Sequence, residues 1–70
     1  MGILNIPETW IRKYGKGNGE EVREIVSYML DEIGGTKDIS VKKIKAYGRE
    51  NGPEVKEILE YMIREYAETF

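Results

Sequence analysis

The seventy-residue chain reads as all-α: a four-helix domain of two tandem helix–turn–helix repeats related by a pseudo-twofold axis. Three observations predict that class. Compared with itself at a spacing of 33, the sequence gives 13 identities over the 28 ungapped pairs that match residues 6–33 with 39–66. Apolar residues recur at helical spacing in each half, and turns containing Gly and Asn stand at matching places between them. The expected layout is one domain over 1–70, with repeat 1 over about 6–33, a linker over 34–38 and repeat 2 over about 39–66.

The first short helix is expected over about 6–14 and its counterpart over about 39–47. Asn5 with Glu8 has capping spacing, Pro7 fits a first turn, and Asp38 or Ser40 can cap the third helix. Gly15 and Gly48 follow Tyr14 and Tyr47 as left-handed residues that end these helices. The long helices come next. Val22, Ile25, Val26, Met29, Leu30 and Ile33 lie on one stripe, as do Val55, Ile58, Leu59, Met62, Ile63 and Tyr66, with Phe70 extending the second. Ile25, Met29, Ile58 and Met62 are expected at the centre of the core. Asn18 with Glu21, and Asn51 with Glu54, have the spacing of a capping box, Pro53 suits a first turn, and Gly34 with Gly35 ends the first long helix.

Composition limits the chemistry. With neither Cys nor His, there are no disulfides, no thiolate or imidazole metal sites and no histidine switch. A net charge of -2 argues against a general polycation. No apolar run is long enough to span a membrane and the N-terminal residues lack a signal-peptide pattern, so a cytoplasmic protein without a membrane partner is expected. Abundant Glu, Lys and Arg resemble the composition of thermophile proteins. The glycine-rich segment from Gly15 to Gly19 has no Gly-Lys-Ser/Thr ending for a nucleotide loop, and too few side-chain oxygens for calcium. No cofactor, no metal and no catalytic residue is expected, and the chain is read as non-enzymatic.

Charge is unevenly placed. Residues 6–17 carry +2 and residues 39–50 carry +3, whereas 18–33 carry -4 and 51–70 carry -3. The basic short helices and their glycine turns are the candidate contact for nucleic-acid phosphates, through Lys16, Gly19, Lys42, Lys43, Lys45, Arg49 and Gly52, with DNA as the expected partner. The alternative is a protein-interaction or regulatory module using Tyr28 and Tyr61, which flank the apolar stripes beside acidic residues. Trp10, Tyr14 and Tyr47 are expected at the core edge.

The segment Tyr47, Gly48, Arg49, Glu50, Asn51, Gly52, Pro53, Glu54, Val55 resembles the hairpin of the helix-hairpin-helix family, whose Gly-hydrophobic-Gly-Pro turn leads into a second helix. The resemblance implies a four-helix, pseudo-twofold, DNA-binding domain in which Gly52 and Gly19 face phosphates, flanked by Arg49 and Lys16. Asn18 and Asn51 stand where that family has a buried apolar residue, and Arg23 and Lys56 where a small one is usual.

Overall fold

The computed structural model describes residues 4–34 and 37–69. The order of elements is β1 (Asn5–Pro7), α1 (Glu8–Gly17), α2 (Glu20–Ile33), β2 (Asp38–Ser40), α3 (Val41–Glu50) and α4 (Pro53–Ala67). Gly35 and Phe70, to which the sequence assigns a helix end and an apolar contact, lie outside the described residues.

The chain is mostly helical with four helices, but the all-α expectation needs a correction: β1 and β2 form a two-stranded antiparallel sheet. Its register is Asn5 with Ser40, Ile6 with Ile39 and Pro7 with Asp38. Ile6 and Ile39, expected inside helices, are buried strand centres. Pro7 biases Ile6 toward extended backbone and itself sits at φ -61°, ψ 138°, just outside the helix. Neither Asn5 nor Asp38 holds the N-cap position expected of it, and the sheet serves the helix starts instead. Pro7 and Ser40 hold the N-cap positions of α1 and α3 without a side-chain cap. Instead the first helical N–H groups donate across the sheet, Glu8 N to Lys37 O and Val41 N to Leu4 O, each at 2.9 Å. An otherwise unsatisfied helix-end donor is thereby paired with backbone from the other half of the chain.

The turns within each half also differ from the expectation. Gly15 and Gly48 are not left-handed residues; among the described residues the glycines at positive φ are Gly19 (98°), Gly34 (93°) and Gly52 (100°). Gly19 and Gly52, with ψ of 165° and 163°, hold the N-cap positions of α2 and α4, in a region of backbone space that is essentially glycine-only. Asn18 and Asn51 are therefore C-caps and not N-caps. Their side-chain amides donate to Tyr14 O at 2.7 Å and Tyr47 O at 2.8 Å, satisfying carbonyls at the ends of α1 and α3. Pro53 opens α4, as its missing N–H allows.

Gly15 and Gly48 serve close packing. A Cβ on Gly15 would stand 2.6 Å from Val26 Cγ2, and one on Gly48 would stand 2.9 Å from the Lys56 Cα. The short helix of each half rests almost directly on the long one, on the side that carries Val26 or Leu59. That placement shifts the centre of each stripe by one residue. The core is Ile6, Ile11, Val26, Met29, Leu30, Ile39, Val41, Ile44, Leu59 and Met62, while Ile25 is half-buried against it and Ile58 is also only half-buried. Trp10, Tyr14 and Tyr47 pack against the core as expected. Trp10 stacks on Tyr14 at 5.4 Å and meets Tyr66 edge-on at 5.0 Å.

Candidate nucleic-acid interface

A helix crossing made over glycine leaves a furrow, because the backbones touch while the long side chains on either side stand clear. Each half has such a furrow. Between α1 and α2 it is lined by Arg12, Lys16, Arg23, Val26 and Ser27, with a volume of about 160 Å³. Between α3 and α4 it is lined by Lys45, Gly48, Arg49, Lys56, Leu59, Glu60 and Ile63, with a volume of about 320 Å³. A neighbouring depression of about 280 Å³ shares Lys45, Glu60 and Ile63 and adds Arg64.

The cations of the two grooves correspond one to one at a spacing of 33: Arg12 with Lys45, Lys16 with Arg49, Arg23 with Lys56. Arg12 and Lys16, or Lys45 and Arg49, stand one helical turn apart on the short helix, and the third cation projects from the long helix opposite. Two of the six are ion-paired at the surface. Arg12 donates through Nε to Glu8 Oε2 at 2.8 Å, with Nη2 at 2.7 Å from the same oxygen, which leaves three of its five N–H donors for another acceptor. Lys56 Nζ lies 3.9 Å from Glu60 Oε2, with both side chains about half exposed. Such pairs are individually worth about 0–1 kcal/mol and yield readily to a better anion.

The sequence-selected residues are divided by this geometry. Lys45 and Arg49 line the α3–α4 groove, and Lys16 lines the other. At roughly 100° per residue Lys42 falls on the same flank of α3 as Lys45 and Arg49, whereas Lys43 falls about 160° from Lys45. Lys43 occupies the position that Trp10 holds in the first half, so it does not share the flank of Lys45 and Arg49. Gly19 and Gly52 shape the turns that open α2 and α4 and line neither groove; apart from the adjoining residues of the chain, no atom lies within 4 Å of where a Cβ on either would stand. Arg12, Arg23 and Lys56 were missed. Each keeps its positive charge at the 33-residue spacing, but exposed glutamates such as Glu24 with Glu57 keep theirs too, and the sequence alone does not separate the two sets.

Tyr28 and Tyr61 are open to solvent, at 65% and 56% exposure. The Arg64 guanidinium carbon stands 5.5 Å from the Tyr61 ring centre. Tyr28 lines a shallow depression of about 310 Å³ with Glu20, Arg23, Glu24 and Ser27. The inward-facing tyrosines differ. Burial, reinforced by the nearby Glu65 carboxylate and its hydrogen bond, raises the Tyr14 phenol above its ordinary value; burial and then Glu32 do the same for Tyr47. Among the described residues no polar or charged side chain is buried, no acidic cluster could hold a metal ion, and no helix is long and apolar enough to cross a membrane. Comparison with known protein families, with curated proteins and with solved structures gives no match for this chain.

Proposed function

We propose that the chain is a small non-enzymatic nucleic-acid-binding protein, built from two tandem helix–turn–helix repeats related by a pseudo-twofold axis, which contacts phosphates through the two cationic grooves. The repeat reading is supported by the register of the sheet, in which Ile6 faces its own counterpart Ile39, and by the matching bonds from Glu8 to Lys37 and from Val41 to Leu4. The cross-half neighbours Tyr14 with Glu65 and Tyr47 with Glu32 exchange under the same spacing.

The observation that carries the functional reading is that three cations are retained at matching positions and that all six line equivalent grooves. Glu21 with Glu54, Glu24 with Glu57 and Glu32 with Glu65 are kept as well, so retention alone does not single the cations out; what supports the reading is that the kept cations converge on equivalent grooves. Volumes of about 160 and 320 Å³ lie below or at the lower limit of ordinary metabolite pockets, about 300–1,000 Å³. They suit a single ionic group at a time, as a phosphate backbone presents. The net charge of -2 does not oppose this at physiological salt, because fields fade over about 8–10 Å.

Fluorescence anisotropy with mixed-sequence DNA, duplex and single-stranded, tests the reading. With roughly four phosphates neutralised, log affinity should fall against log salt with a slope of about -3 to -4 on duplex and nearer -3 on single strands. Reversing one cation in each groove, Lys16→Glu with Arg49→Glu, should weaken binding tenfold or more at low salt and leave the melting curve in place. No binding at low salt, or binding indifferent to that double reversal, refutes it. The exposure of Tyr28 and Tyr61 favours a second reading, a protein-interaction module with those rings as anchors.

A further inference from the structure

We infer that the nucleic acid held by the grooves is single-stranded and that Tyr61 and Tyr28 stack its bases, an inference that rests on the phosphate-binding reading of the grooves. Each tyrosine stands one side chain away from a cationic groove. Arg64 joins Lys45, Glu60 and Ile63 around the depression that continues the α3–α4 groove, and the same Arg64 lies 5.5 Å from the Tyr61 ring. Arg23 and Ser27 line both the α1–α2 groove and the depression that contains Tyr28. A charged furrow that tracks the backbone, with an open aromatic face beside it, is the arrangement that binds unpaired strands. The furrow holds phosphates and the ring stacks whichever base is offered.

A duplex would use half of this equipment. Its bases are stacked on each other and present only their edges, so an exposed ring outside the furrow has no face to cover. The exposures of 65% and 56% leave both rings largely open to solvent, with Arg64 over one side of the Tyr61 ring. The two platforms are unequal. Tyr61 has Arg64 over its ring, which adds a planar cation to the stack, whereas the residue matching Arg64 in the first half is Asp31. Tyr28 also shares its depression with Glu20 and Glu24, which repel an approaching phosphate. Tyr61 is therefore the leading stacking residue.

The test is anisotropy of the full chain with labelled twelve-residue oligo-dT and oligo-U and with a twelve-pair duplex, all at one low salt concentration. The single strands should bind about tenfold more tightly than the duplex. Tyr61→Ala should lose about fivefold or more on single strands, Tyr28→Ala less, and Tyr61→Phe should restore the affinity, since a stacked base is lost with the ring and not with the hydroxyl. Oligo-dT and oligo-U should agree within a few-fold because neither groove nor ring reads the sugar. A sugar preference above tenfold, equal affinity for duplex, or a Tyr61→Ala protein that binds single strands as wild type does, each overturns the stacking inference. In that last case, loss of binding on Arg49→Glu leaves the groove reading standing with the tyrosines assigned elsewhere. If Arg49→Glu also has no effect, or nothing binds, both fall.

Discussion

Replacing Gly48 by Ala sets two known effects against each other. In an open helix the change stabilises by about 1 kcal/mol, through helix propensity alone. Here the new Cβ would stand 2.9 Å from Lys56 Cα, 3.5 Å from Lys56 Cβ and 3.6 Å from Leu59 Cδ1. Carbon atoms rest at about 3.5–4.0 Å, so the nearest contact is short by roughly 0.6–1.1 Å, and a backbone atom cannot rotate away. The two helices must separate by about that amount, at an overpacking cost of about 1–3 kcal/mol. The net expectation is a loss of about 1 kcal/mol, or roughly 4–8 °C in Tm for a domain of this size. Thermal and urea unfolding followed by circular dichroism reads it directly. Gly17→Ala is the control. Gly17 is also helical, is not among the positive-φ glycines and has nothing within 4 Å of its Cβ position, so it should gain about 0.5–1 kcal/mol. A Gly48→Ala protein that melts as high as Gly17→Ala would refute the close approach of α3 to α4 and, with it, the groove built on that crossing.

Other perturbations follow from the same contacts. Met29→Ala or Met62→Ala, each emptying a fully buried site, should cost about 2–5 kcal/mol in urea unfolding, and Ile25→Ala clearly less because Ile25 is half-buried; a reversed order would return the core centre to Ile25. Because the folded state holds the protons of Tyr14 and Tyr47 more tightly than the unfolded chain does, their contribution is full below the ordinary phenol pKa of about 10 and is lost as pH rises through the folded value. Tyr14→Phe should accordingly flatten the alkaline fall in stability, and an unchanged alkaline limb would contradict the placement of Tyr14 against Glu65. Glu60→Gln removes the carboxylate lining the α3–α4 groove and frees Lys56, so nucleic-acid affinity should rise a few-fold and the salt slope steepen by about 0.7–0.9; an unchanged slope would place Lys56 outside the contact.

Local sequence determined that there are four helices and roughly which face of each is apolar, because helical period acts within a few residues; it ended the short helices about three residues early, near Tyr14 and Tyr47 and not at Gly17 and Glu50. The 33-residue spacing went further and matched the same elements across the two halves. What it could not do was tell apart two glycine pairs that repeat equally well. Gly15 with Gly48 and Gly19 with Gly52 are both kept, yet only the second pair turns the chain, while the first lets helices touch. That distinction depends on which backbone lies opposite, and it exists only once the helices have met. The same holds for the sheet. Three residues around Ile6 are too short to register as a strand, and their partners around Ile39 are distant in sequence, so the hydrogen bonds that cap α1 and α3 form only between assembled halves. The grooves are likewise tertiary. Lys16 and Lys45 belong to one set of short-helix cations in the sequence because sequence records charge along a helix, whereas the crossing over glycine assigns each to its own furrow and brings Arg23 and Lys56 in from the acidic long helices. Sequence alone determined that cations recur; the packing of short helix on long helix decided which of them line the same groove.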